Sequence, residues 1–145
     1  MLKYTRYNKI DLTLFVVEPE TPFSEWMSAI QSYEKEGATK YELFDTRKMT
    51  IVPNENDIED ILMYEHNYGI TRPVGSNVAF VISNLKEYSR VRLFATTAKT
   101  AGVNWQTHAF FSIEEAKAWL GIESPSIVDV PHSPVKSSNQ HKKVP

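Results

Sequence analysis

The chain has 145 residues, of which 41% are hydrophobic and 12% aromatic, with a formal net charge of −2 and no cysteine. That length suits one domain able to bury most of its apolar surface without covalent staples. Lack of cysteine excludes disulfides, thiol nucleophiles and thiolate metal sites, and the charge balance argues against nucleic-acid or membrane binding.

Read in chain order, the opening "MLKYTRYNK" is polar and charged rather than a basic cap on an apolar run, so no leader is expected. Its core, Leu2 to Tyr7, reads as a first strand. A turn at Asn8-Lys9 then pairs it antiparallel with "DLTLFVV", Asp11 to Val17. "LTLFVV" is the longest apolar stretch and falls far short of the ~20 residues that span a bilayer, so a cytoplasmic protein is expected.

"TPFSEWMSAIQSYEKEG" follows, with Thr21 as expected N-cap, Pro22 in the first turn, and Phe23, Trp26, Met27, Ile30 and Tyr33 as one apolar stripe. "YELFDTR", Tyr41 to Arg47, is a third strand. In "NDIEDILMYEHNYG", Ile58, Ile61, Leu62 and Tyr68 share a face, and Asp57, Glu59 and Asp60 suit the positive end of the helix dipole. "NVAFVIS", Asn77 to Ser83, is almost wholly apolar, as a strand covered on both faces should be. The next helix has Asn84 and Glu87 at capping-box spacing and directs Leu85, Tyr88, Val91 and Ala95 inward. The last strand and helix are read in "NWQTHAFFSIEEAKAWLG", where Ser112 caps, Glu115 reaches back, and Ile113, Ala116, Trp119 and Leu120 are buried.

Four of the five glycines (Gly37, Gly69, Gly102, Gly121) directly follow these helical stretches, where the chain commonly turns through positive φ. The order β-β-α-β-α-β-α-β-α predicts an α/β domain over 1–122, with a mostly parallel sheet and right-handed crossovers. Residues 123–145 hold four of the eight prolines and no aromatic residue, so a flexible tail is expected there.

A strand ending "LFDTR", a buried "VAFVIS" and a closing "HAFFSIEEAKAWL" together resemble the SpoIIAA-like branch of the STAS superfamily, over roughly Leu12 to Leu120. In that branch the last strand and helix commonly read aromatic, Ser, x, Glu-Glu-Ala, x, x, Trp-Leu. The resemblance implies a four- or five-stranded, SpoIIAA-like mixed sheet with helices mainly on one side. It also implies kinship with anti-sigma-factor antagonists, which bind proteins, and a more distant one with lipid-binding CRAL-TRIO domains. The antagonists' phosphorylatable serine has no counterpart. The matching segment "TRKMTIVPNENDIED" lacks serine and glycine, and its hydroxyls are Thr46 and Thr50.

Chemistry is sparse. The histidines (His66, His108, His132, His141) show no i, i+4 pairing, so no metal site is expected. Neither a nucleophile elbow nor a glycine-rich phosphate loop before a helix occurs, so no nucleotide or other cofactor is expected. Six residues remain as candidates for binding a ligand or partner. Asp45, Arg47 and Lys48 end the third strand, Arg72 is placed at the same edge, Ser83 ends the central strand, and Tyr64 lies off its helix's apolar stripe.

The first functional expectation is a non-catalytic regulatory module that binds a protein partner or a second copy of itself through the second helix and the loop before it. The alternative is a carrier of a lipid or other small hydrophobic ligand, with a cavity between the second and third helices and the sheet, lined by Ile61, Leu62, Tyr68, Leu85 and Tyr88. An enzyme ranks third.

Overall fold

A computed structural model describes residues 1–67 and 72–122. Tyr68, Gly69 and the expected tail at 123–145, with His132 and His141, lie outside the described residues, as do the side chains of His66 and Asn67. The elements come in the expected order: β1 (Leu2–Tyr7), β2 (Leu12–Val17), α1 (Phe23–Glu36), β3 (Tyr41–Asp45), α2 (Glu55–Asn67), β4 (Asn77–Val81), α3 (Leu85–Thr100), β5 (Gln106–Phe110) and α4 (Ile113–Leu120). They form one mixed five-stranded sheet in the order β1-β2-β3-β4-β5, with β1 antiparallel to β2 and the other neighbours parallel. Among the described residues, no helix is long and apolar enough to cross a membrane.

The strands advance across the sheet in one direction, so right-handed crossovers carry their helices onto one face. That face buries Phe15, Val17, Phe44, Val78, Phe80 and Ile82 against Trp26 and Tyr33 of α1 and Val91 of α3. α4 packs over the opposite face, where Ile113, Ala116 and Leu120 meet Leu12, Leu14, Leu43, Ala79 and Val81. α2 joins through its neighbour, with Ile58 and Leu62 packed on Ala98 of α3.

Local signals explain most of the boundaries. A single 3-10 turn at Asn8–Ile10 carries β1 into β2, with Asp11 in the left-handed region at φ 55°. Asn84 Oδ1 accepts from the Glu87 amide at 2.9 Å, and the Glu87 carboxylate accepts from the Ser83 amide at 3.0 Å, one residue earlier than the usual capping box. Ser112 Oγ accepts from the Glu115 amide at 3.2 Å, and Gly121 ends α4 at φ 78°.

Three local expectations are corrected. Pro22, not Thr21, is the N-cap of α1. The Thr21 hydroxyl instead lies 2.7 Å from the Glu18 carbonyl and 2.9 Å from that of Met1, tying β1 to the end of β2. Leu85, the first residue of α3, is 74% exposed rather than inward. Phe111, just past the end of β5, is also exposed and stacks on Tyr88 at 5.8 Å. Trp119 is only half-buried, because it lies against His108 and Phe110 on the outermost strand rather than under the sheet's centre.

Leu43, fully buried at the centre of β3, should therefore matter far more than Phe111. Urea denaturation of Leu43→Ala is expected to show a loss of about 2–5 kcal/mol, and Phe111→Ala a change within about 0.5 kcal/mol. Equal losses would contradict the placement of the two side chains.

Candidate functional site

The helix-covered face of the sheet is built in rows. Parallel register sets Thr13, Glu42, Val78 and Thr107 side by side, and two residues further on Phe15, Phe44, Phe80 and Ala109. The three phenylalanines are stacked across neighbouring strands, with centroids 4.1 and 4.8 Å apart. Above them lies a cavity of about 90 Å³, partly open to solvent. Trp26 and Ile30 of α1, Ile58 and Ile61 of α2, and Val91 and Phe94 of α3 line it from the helix side. Its lining is overwhelmingly apolar.

A cavity between the second and third helices and the sheet is thus present, but its lining differs from the expected set. Ile61 lines it. Leu62 is spent on the α2–α3 contact, Leu85 is exposed and Tyr88 stacks on Phe111, while Tyr68 lies outside the described residues. α1 contributes a whole wall that the sequence reading left out.

One end of the cavity is ionic. Arg72, only 7% exposed, donates through Nη1 to Glu42 Oε2 and through Nη2 to Glu34 Oε2 (3.1 Å) and Glu65 Oε2 (3.4 Å). Its guanidinium also sits 5.0 Å from the centre of the Trp105 ring, within cation–π range. The Tyr33 hydroxyl donates to Glu42 Oε2 at 2.7 Å and accepts from the Thr39 amide, also at 2.7 Å. Glu34 and Tyr33 come from α1, Glu42 from β3 and Glu65 from α2, so this cluster joins three elements at the amino-terminal end of the parallel strands.

Three carboxylates around one guanidinium cannot all be charged cheaply in a dry site. Burial, reinforced by the neighbouring Glu65 carboxyl, pushes the Glu34 carboxyl up to about 9 against the pull of Arg72. Burial also raises Glu42, opposed by Arg72 and by the Tyr33 hydrogen bond. For Arg72 itself, burial alone would lower the value, but Glu42, Glu65 and Glu34 reverse that and raise it. The guanidinium stays charged and the carboxyl cluster retains a proton.

The six expected site residues do not converge. Asp45 and Arg47 pair with each other in a bidentate bridge, with bonds of 2.9 and 2.8 Å, at the carboxyl end of β3, and Lys48 is exposed beside them. Arg72 is not at that edge. It precedes β4 and therefore falls at the opposite end of the sheet, buried among carboxylates. Ser83 is exposed, its hydroxyl 3.4 Å from the Glu87 carboxylate, in a capping arrangement. Tyr64 is half-buried on α2 and engaged with neighbouring groups. The Thr46 hydroxyl is buried and donates to the Val81 carbonyl at 3.0 Å, while Thr50 Oγ1 accepts from the Glu20 amide at 2.7 Å.

Comparison with family models, with curated proteins and with solved structures finds no match for this chain.

The shared proton makes stability pH-dependent. Glu34 moves from an ordinary value of 4.5 up to about 9 on folding, so between these limits the folded state binds more protons than the unfolded one. The stability supplied by this proton is complete below the lower limit and is lost as pH rises toward the upper. Urea midpoints measured from pH 5 to 9.5 should fall with rising pH, and Glu34→Gln should flatten the slope. A slope unchanged by that substitution would contradict the assignment.

Proposed function

We propose that this chain is a non-catalytic binding module, SpoIIAA-like in shape, whose cavity takes a small hydrophobic molecule. The carrier role, implied in the sequence only by a distant likeness to CRAL-TRIO domains, is favoured over a purely protein-binding role by one observation. The space between the aromatic row of the sheet and α2 is open in part and almost wholly apolar, whereas the opposite face is a closed core of buried side chains. The ionisable groups at its end pair with one another, which supports binding rather than chemistry.

N-phenyl-1-naphthylamine, an uncharged dye whose emission rises in apolar surroundings, tests this directly. Saturable one-to-one binding is expected. Ile61→Trp, which fills the space from α2, should weaken it about tenfold or more with the thermal midpoint retained. Failure of the dye to bind, or binding indifferent to Ile61→Trp, would remove the proposal.

A second reading, a surface for a protein partner or a second copy, draws support from a different place than the second helix. Leu85 and Phe111 are large, apolar and exposed near the carboxyl ends of β4 and β5, with Phe111 stacked on Tyr88. Arg47, named for this role in the sequence, is held by Asp45 instead. If the surface reading holds, Phe111→Ser lowers the association seen by sedimentation or partner capture while dye binding stays intact. Association indifferent to Phe111→Ser counts against it.

A further inference from the structure

α2 walls the cavity through Ile58 and Ile61, yet few buried contacts hold it there. Its buried apolar residues, Ile58 and Leu62, form a small cluster with Ala98 of α3, outside the two larger clusters that cover the sheet. At its amino-terminal end Glu55 lies 3.8 Å from Arg90 of α3, but Glu55 is largely exposed, and such a pair contributes little. At its carboxyl-terminal end Glu65 enters the buried Arg72 cluster. A helix held in this way belongs to the parts of a domain that open most readily. Its seating depends on Glu65.

The tie at Glu65 is made between two acids. Arg72 Nη2 lies 3.1 Å from Glu34 Oε2 and 3.4 Å from Glu65 Oε2, so carboxyls from α1 and α2 converge on one nitrogen. The other ionisable groups facing this pair are Glu42 of β3, which takes Arg72 Nη1, and Tyr33 of α1, whose hydroxyl donates to Glu42. Glu34 Oε1 is buried and, among the described residues, accepts from no nitrogen or hydroxyl. In a side chain only 4% exposed a bare oxygen is costly, and a proton shared with Glu65 satisfies it. Burial first, and then the hydrogen bond between the two carboxyls, hold the Glu34 value high. With that proton in place the pair carries one negative charge across the α1–α2 boundary. Without it, two like charges meet in a dry site and drive the helices apart.

We propose that a proton shared by Glu34 and Glu65 clasps α2 to α1, and that its loss lifts α2 and frees the occupant of the cavity. The clasp holds at low pH and releases as pH rises. This rests on the carrier reading above and names the regulation of that same cavity.

Stopped-flow dilution of the N-phenyl-1-naphthylamine complex of the full chain, into buffers from pH 6 to 9.5, reads release directly. The dissociation rate is expected to rise about tenfold for each unit by which the carboxyl's value falls when α2 lifts, and at least about tenfold overall. Glu34→Gln keeps a hydrogen-bond donor to Glu65 and has no proton to lose, so release should be slow at every pH. Glu55→Gln, at the exposed end of α2, should leave the pH trend intact. In the unsubstituted protein, the infrared carbonyl band of a protonated carboxyl should vanish over the pH interval in which release accelerates, a readout that survives if Glu34→Gln fails to fold. If the dye binds but its release is indifferent to pH, or still accelerates in Glu34→Gln, or loses its trend in Glu55→Gln, or no such band is lost, the inference fails and the carrier reading stands. If the dye binds at no pH, both fail.

Discussion

Arg72 is the side chain on which the rest of the arrangement depends. It is buried next to Glu42 at the start of β3, Glu34 at the end of α1 and Glu65 in the last turns of α2. Removing one partner of such a cluster leaves an uncompensated charge in a dry site, which is among the costliest single changes a domain can suffer. The cluster therefore fixes where α2 ends relative to the sheet. Between that ionic end and the Ile58–Leu62 contact with α3, the three helices leave a cavity over the sheet.

The domain divides its two sheet faces between different tasks. The α4 face is a closed hydrocarbon layer in which Leu12, Leu43, Ala79 and Val81 are fully covered, and it supplies cohesion. The opposite face carries aromatic rings, an internal ion cluster and a void, features that lower packing efficiency and are tolerated because the first face holds. A cluster retaining a proton near neutrality also ties the seating of α2 to pH, through the same carboxyls that close one end of the cavity.

Much of the architecture was legible in the sequence, and for physical reasons. Helix stops at Gly37, Gly102 and Gly121 all adopt positive φ, and the Asn84 and Ser112 caps bond as their spacing requires. The site was far less legible. Phe15, Phe44 and Phe80 each occupy the fourth position of their strand, but only register reveals that they stack, and register is a tertiary property. Glu42 was the readable signal: a carboxylate inside the apolar run "YELF" has to find a buried partner. Arg72 was singled out but assigned to the wrong end of the sheet, because a residue that precedes a parallel strand lies at its amino end. Trp119 follows a helical stripe as faithfully as Leu120 does, yet it falls on the side of α4 toward the outermost strand, against His108 and Phe110, and stays half open.

Xenon is an apolar atom without shape preference that enters voids of this kind, so a xenon-pressurised crystal probes the void itself rather than any ligand. The account predicts xenon between the Phe44–Phe80 row and Ile58 or Ile61 of α2, with Arg72 still bonded to Glu42 and Glu65. A crystal in which α2 lies directly on the phenylalanine row, with no xenon beneath it, would contradict the account.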